Sequence, residues 1–254
     1  MVPDSSFTRG LTGLLSKIFG CVLVGLLLFK GIQGSWAETG SLKADSSKSP
    51  LTQLQRLLAE GSQNSSDPAM LLQLADLYLE IGQEIYQDEN RKRQAFDEGA
   101  RLARRALDTE KDNAEAHYLY AANLGSSAQI EGVMASALTV NTLKTHVRRA
   151  LELNPHHAPA LHMMGMMLEE LPWFLGGDPD MAITYLIQAT EVKPDYIRAR
   201  LDLAKIYIKR QNLRAAREEL RHIIDETPRS PASESWQHNH QEALILLDAL
   251  PSLR

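Results

Sequence analysis

The side chains best equipped for chemistry cluster in the middle of the chain. His156, His157 and His162 surround one turn, and His238 and His240 follow near the end. A metal site needs ligands converging on one face with fixed geometry. No His-Glu-x-x-His pair occurs and no cysteine lies near, so these imidazoles read as structural or solvent-facing. Met163, Met164, Met166 and Met167 form a second cluster, with Met134 and Met181 apart from it. Thioethers bind soft metals such as copper, but no ligand spacing accompanies them. Flexible methionines also suit adaptable apolar contacts. Met163 and Met167 are four apart and share a helical face, so they are candidates for lining a groove. No strained serine elbow, phosphate-cradling glycine loop or zinc motif is present. The 32 acidic residues include no pair whose spacing assigns acid–base work. Neither catalysis, nor a cofactor, nor a bound metal is expected.

Two further constellations suit binding. Asn123, Ser127 and Glu131 recur every four residues through an otherwise apolar segment, which makes one polar stripe. Such a stripe lines a cleft or faces solvent. Trp173 and Phe174 stand in the segment Leu171 to Pro179, beside Pro172 and Gly176-Gly177. A loop carrying two aromatics either meets a partner or folds back over the core. Arg91, Lys92 and Arg93, with Arg101, Arg104 and Arg105, make a basic patch among acidic neighbours, read first as a solvated face. The net charge of -5 argues against nucleic-acid binding.

The elements that hold these residues repeat. Pro194 and Pro228 are 34 residues apart, and between them lie Arg200-x2-Leu203-Ala204-x2-Tyr207 and Ala216-x3-Leu220. This is the tetratricopeptide pattern of small residues at a helix crossing, with larger apolar residues around it. Leu161-x2-Met164-Gly165-x2-Leu168 with Ala182-x3-Leu186 repeats it, as do His117-x2-Tyr120-Ala121 with Leu143-x3-Val147, and Leu71-x2-Leu74-Ala75 with Gly99-x3-Ala103. The fold expected is all-α: a tetratricopeptide-like solenoid of about four helix pairs, closed by a capping helix from Trp236 to Leu250. The crossing residues are 12 apart in the last unit but 24, 22 and 17 apart in the first three. The extra residues belong between the paired helices, on one edge of the solenoid, as longer helices or as loops. Asp178 and Pro179 are placed to cap and start a helix after the third insertion.

Three segments carry a resemblance: Tyr120 through Gly125 continuing to Gly132, Ala150 through Pro155, and the Trp173 to Pro179 loop. Together they resemble the tetratricopeptide T-component of tripartite ATP-independent periplasmic (TRAP) transporters, and they are also similar to the regulator of microtubule dynamics proteins. The transporter resemblance implies a periplasmic scaffold beside a solute-binding protein, forming homo-oligomers and offering an apolar ligand a groove. A general adaptor in cell-envelope assembly is the alternative.

Residues 1–37 read as a signal peptide. Arg9 and Lys17 precede the apolar run Ile18 to Phe29, and Ser35 and Ala37 supply the small residues of a cleavage site. The run is shorter than the roughly 20 residues of a membrane span. Cleavage after Ala37 would leave a periplasmic or secreted chain; an uncleaved membrane anchor is the alternative. Cys21, the single cysteine, lies inside this segment. Residues 38–66 read as a polar linker with one short helix, Leu51 to Glu60, and residues 67–254 as the repeat domain.

Overall fold

The computed structural model describes residues 49–226 and 234–251. The expected signal peptide, the start of the linker, and Pro228 lie outside the described residues. Within them the chain is helical throughout, without strands. Helix α1 spans Pro50–Ala59, α2 Pro68–Glu80, α3 Glu89–Thr109, α4 Ala114–Glu131, α5 Val133–Leu153, α6 Ala158–Glu170, α7 Pro179–Val192, α8 Ile197–Lys209, α9 Leu213–Asp225 and α10 Glu234–Ala249. The boundaries follow from capping chemistry. Asp67, Asp88, Asn113 and Asp178 each accept a backbone N–H of the first turn that follows, and proline opens α2 and α7.

Consecutive helices pair as α2/α3, α4/α5, α6/α7 and α8/α9, and α10 packs on the last pair. The alanines at the crossings, Ala75, Ala121, Ala182, Ala204 and Ala216, are fully buried. A methyl on Gly165 would stand 3.1 Å from the Ala182 carbonyl and 2.8 Å from Leu186 Cγ, so this crossing is as close as the small residues imply. Arg200, where the repeat pattern has tryptophan, donates to Pro194 O at 2.8 Å and to Glu219 at 2.7 Å. An ion pair inside the unit thus replaces aromatic packing. The short helix expected within the linker does more than join: Leu54 and Leu57 of α1 enter the same core as Leu71, Leu74 and Leu102. Arg105 holds the turn after it, donating to the carbonyls of Gln63 and Ser65 at 2.6 and 2.7 Å.

The three insertions differ in form. In the first, α2 continues into a π turn, Ile81–Ile85, before α3 begins. In the second, both helices lengthen around a single break at Gly132, whose φ of 107° suits glycine. The third is a loop with a 3₁₀ turn, Trp173–Leu175.

Candidate protein-interaction surface

The first helices of the units form one row: α2 lies on α4 and α4 on α6, His162 of α6 bonds Asp202 of α8, and the capping helix α10 lies on α8. That row curls. Arg198, at the start of α8, reaches back three units to the end of α2, donating to Gln83 Oε1 at 2.8 Å and to Glu84 Oε1 at 2.5 Å. This contact brings the fourth unit back to the first, so the row bends into a concave face that the first helices line.

The concave face is polar and ordered. His157 bonds Glu115 at 2.8 Å and packs its ring on Tyr118, tying α6 to α4. His162 bonds Asp202 at 2.8 Å and the Tyr196 hydroxyl at 3.2 Å, tying α6 to α8. Burial pushes the Tyr118 hydroxyl above its ordinary value and Tyr196 up to about 12, so both remain neutral hydrogen-bonding groups. Partial burial, then Glu115, raises Asp76; partial burial, then Asp76 and Glu84, raises Glu80. The floor of the groove is therefore crowded with carboxyls. His157 and His162 of the sequence cluster are partnered, as expected of structural imidazoles. The pairing of His162 with Asp202, and of Arg198 with Glu84, left no trace in residue spacing because the partners stand 40 and 114 residues away.

The polar stripe requires correction. Asn123 is fully buried, donating to Leu119 O at 2.9 Å and Ala75 O at 3.2 Å. Ser127, also buried, donates to Asp97 at 2.5 Å, and the exposed Glu131 stands 3.7 Å from Arg93. The stripe is a seam that locks α4 onto α2 and α3. Asn123 and Ser127 neither line a cleft nor face solvent, because long α3 covers them, while Glu131 at the end of the stripe faces solvent. Met163 and Met167 are partly buried and pack against the core that holds Val147 and Met164. Met164 is buried, as its place in the repeat predicts. The basic patch is largely self-neutralised, through Arg93 with Asp97, Arg101 with Glu98 and Arg104 with Asp108.

The aromatic loop does not fold back. Trp173 is 85 % exposed and Phe174 56 %, with their rings edge to face at 5.9 Å. Lys144 of α5 donates to Leu175 O at 3.0 Å and fixes the loop from below. Beneath it lies a cleft of about 460 Å³, lined by Lys144, Arg148, Leu168, Met181 and Tyr185 among others.

One histidine is held neutral by its surroundings. His117 Nε2 lies 2.9 Å from Lys111 O and must donate to it, so its Nδ1 accepts from His146 Nδ1, also at 2.9 Å. Burial, then His117 and Arg104, lowers His146 to about 4 from 6.5. Between those values the unfolded chain binds this proton and the folded chain does not, so protonation favours unfolding. Stability carried by the neutral His146 is present above pH 6.5 and is lost as pH falls towards 4. Urea unfolding at pH 7 and pH 5 checks this: the fall in midpoint should be smaller in His146→Gln than in the unaltered chain.

Paired helices crossing at small residues, stacked so that the first of each pair lines a concave face, define a tetratricopeptide-repeat protein, and the repeat's sequence profile matches residues 174–235. Within that class the chain belongs to the regulator of microtubule dynamics protein 1-3 family, whose profile matches residues 37–170, more than half of the chain. It is 29 % identical to regulator of microtubule dynamics protein 1 of Bos taurus over 168 residues, covering 60 % of this chain and 53 % of that protein. The Mus musculus counterpart is 30 % identical, with 60 % and 55 % covered. The chain thus spans about half the length of the curated relatives it matches. Among solved structures it is similar to a thermophilic tetratricopeptide-repeat protein of Thermus thermophilus, with a TM-score of 0.55 and 19 % identity over 77 % of this chain and 89 % of that one.

Proposed function

We propose that this protein is a non-catalytic scaffold whose concave face receives an extended segment of a protein partner, with the Trp173–Phe174 loop as a second contact. The observation that carries this reading is the curled row of first helices, closed by Arg198 on Glu84, which leaves a polar groove instead of a flat surface. The exposed aromatic loop supports the second contact, because exposed aromatics on a fixed turn are the usual anchors of binding energy.

The finer reading is an exported chain, released by cleavage after Ala37, that docks the solute-binding protein of a TRAP-type transporter and takes an apolar ligand in the cleft under the loop. The apolar run Ile18 to Phe29 supports export. The family match favours a second reading, in which the partner is a microtubule component, since the relatives are named regulators of microtubule dynamics.

Affinity capture from cell extract separates these readings. The baits are the unaltered chain, Asp76→Arg in the groove, and Trp173→Ala/Phe174→Ala on the loop. Loss of the exposed Trp173 should change stability by no more than about 0.5 kcal/mol, while binding through the loop should weaken by about 2 kcal/mol. A solute-binding protein on the unaltered bait supports the transporter reading, and a microtubule component supports the second. A partner captured equally by all three baits would sink the proposed surface.

A further inference from the structure

We infer that the extended end of α2 is a strap across the concave face, clasped by Arg198, and that a partner segment enters when its own arginine or lysine takes the place of Arg198 on Gln83 and Glu84. This rests on the reading of the concave face as the binding site and adds how that site opens.

The strap exists because the first unit carries extra residues. An unextended α2 would end near Glu80, short of α8. Instead the helix widens into the π turn Ile81–Ile85, closed by Tyr86 N–H to Ile81 O at 3.0 Å. The base of the turn is pinned: Gly82 is buried against Phe96, and a methyl there would overlap that ring. Ile85 and Tyr86 pack against the same core on the far side, and between these anchors the turn carries Gln83 and Glu84. π turns inside helices are uncommon and gather at functional positions.

The clasp has the chemistry of a ligand contact. A guanidinium presents a planar fork, and here one nitrogen meets an amide oxygen while another meets a carboxylate. The ion pair joins unit one to unit four and is partly open to water, with side chains 38 % and 25 % exposed. A solvated pair of this kind exchanges readily. Releasing Arg198 leaves the Glu84 carboxylate beside Glu80 and near Asp76, a setting that favours an incoming cation over a neutral or acidic side chain.

The test is a charge swap on the full chain. Arg198→Glu and Glu84→Arg each place like charges at the clasp, and the double variant Arg198→Glu/Glu84→Arg restores it. Hydroxyl-radical oxidation of Tyr118 and Tyr196, mapped by mass spectrometry, reads access to the groove without any ligand and without depending on the ionisation of either phenol. Each single variant should raise oxidation of both by at least about threefold, and the double should return it to the starting level. Equal oxidation in all four proteins overturns the strap. Fluorescence anisotropy with a labelled peptide of alternating Arg and Ala reads the exchange. Arg198→Ala should bind it about tenfold more tightly than the unaltered chain, and Arg198→Ala/Glu84→Gln should lose that gain. No gain in Arg198→Ala, or equal gain for an alternating Glu and Ala peptide, overturns recognition of a basic segment. The two levels fail differently. If partner capture is lost in Asp76→Arg while the swap variants behave as the unaltered chain, the groove stands and the strap falls. If capture ignores Asp76→Arg, the groove reading falls whatever the oxidation of the tyrosines shows.

Discussion

Gly99→Ala is expected to lower the unfolding free energy by about 3 kcal/mol, from overpacking and from hydrogen bonds broken in the interior. The added methyl would overlap Asn123 Oδ1 and stand 2.6 Å from its Cγ. Asn123 has nowhere to retreat. It is fully buried and its amide nitrogen holds the carbonyls of Ala75 and Leu119. Moving it strips both bonds, and its Oδ1 already has no partner among the described residues. Chemical denaturation of the variant measures the loss. The paired variant Gly99→Ala/Asn123→Ala identifies its origin, because the second alanine removes the clashing amide. Recovery of more than about 1 kcal/mol relative to Gly99→Ala is expected for coupled neighbours. No recovery would mean that helix α3 itself, not the Asn123 contact, rejects the methyl.

The second large effect lies where the third and fourth units meet. Glu169 is 4 % exposed at its side chain, with Lys209 Nζ at 2.7 Å and Arg210 Nη2 at 3.0 Å. Arg210 also donates to Asp180 and to the Pro179 carbonyl, so it stitches α8 to the beginning of α7. Lys209 is 62 % exposed, and Lys209→Ala alone should cost less than about 1 kcal/mol. Arg210→Ala/Lys209→Ala strands a buried carboxylate and should cost about 3–5 kcal/mol. Adding Glu169→Leu to that double variant removes the stranded charge and should restore most of the loss. The relevant measurement is the thermal midpoint of each variant at neutral pH. Equal destabilisation with and without Glu169→Leu would show that the arginine contacts to Asp180 and Pro179 carry the effect.

Much of the fold was legible because local rules and packing rules agree here. Ala75, Ala121, Gly165, Ala182, Ala204 and Ala216 are small because two helices cross at each, and a crossing distance is a property of the residue type. Caps such as Asp178 are equally local. The surface was legible only in part. Trp173 and Phe174 stand exposed on a loop, as the one prolonged break between paired helices allowed. Asn123, Ser127 and Glu131 have the period of a polar face, but a period states which side chains share a face and not what covers that face. Here α3, lengthened by the first insertion, covers Asn123 and Ser127 and leaves Glu131 in solvent. Met163 and Met167 share a face in the same way, and the third unit's core takes them.

What the sequence determined by itself is the repeat: helix type, pairing, crossing residues, and the edge where extra residues belong. Each follows from contacts within one unit, between residues a few turns apart. Only the tertiary structure decided the curl of the solenoid. Arg198 meets Glu84 across the whole row of units, whose successive offsets add up, and no residue encodes that sum in its neighbours. The groove and the strap across it are products of that accumulated offset.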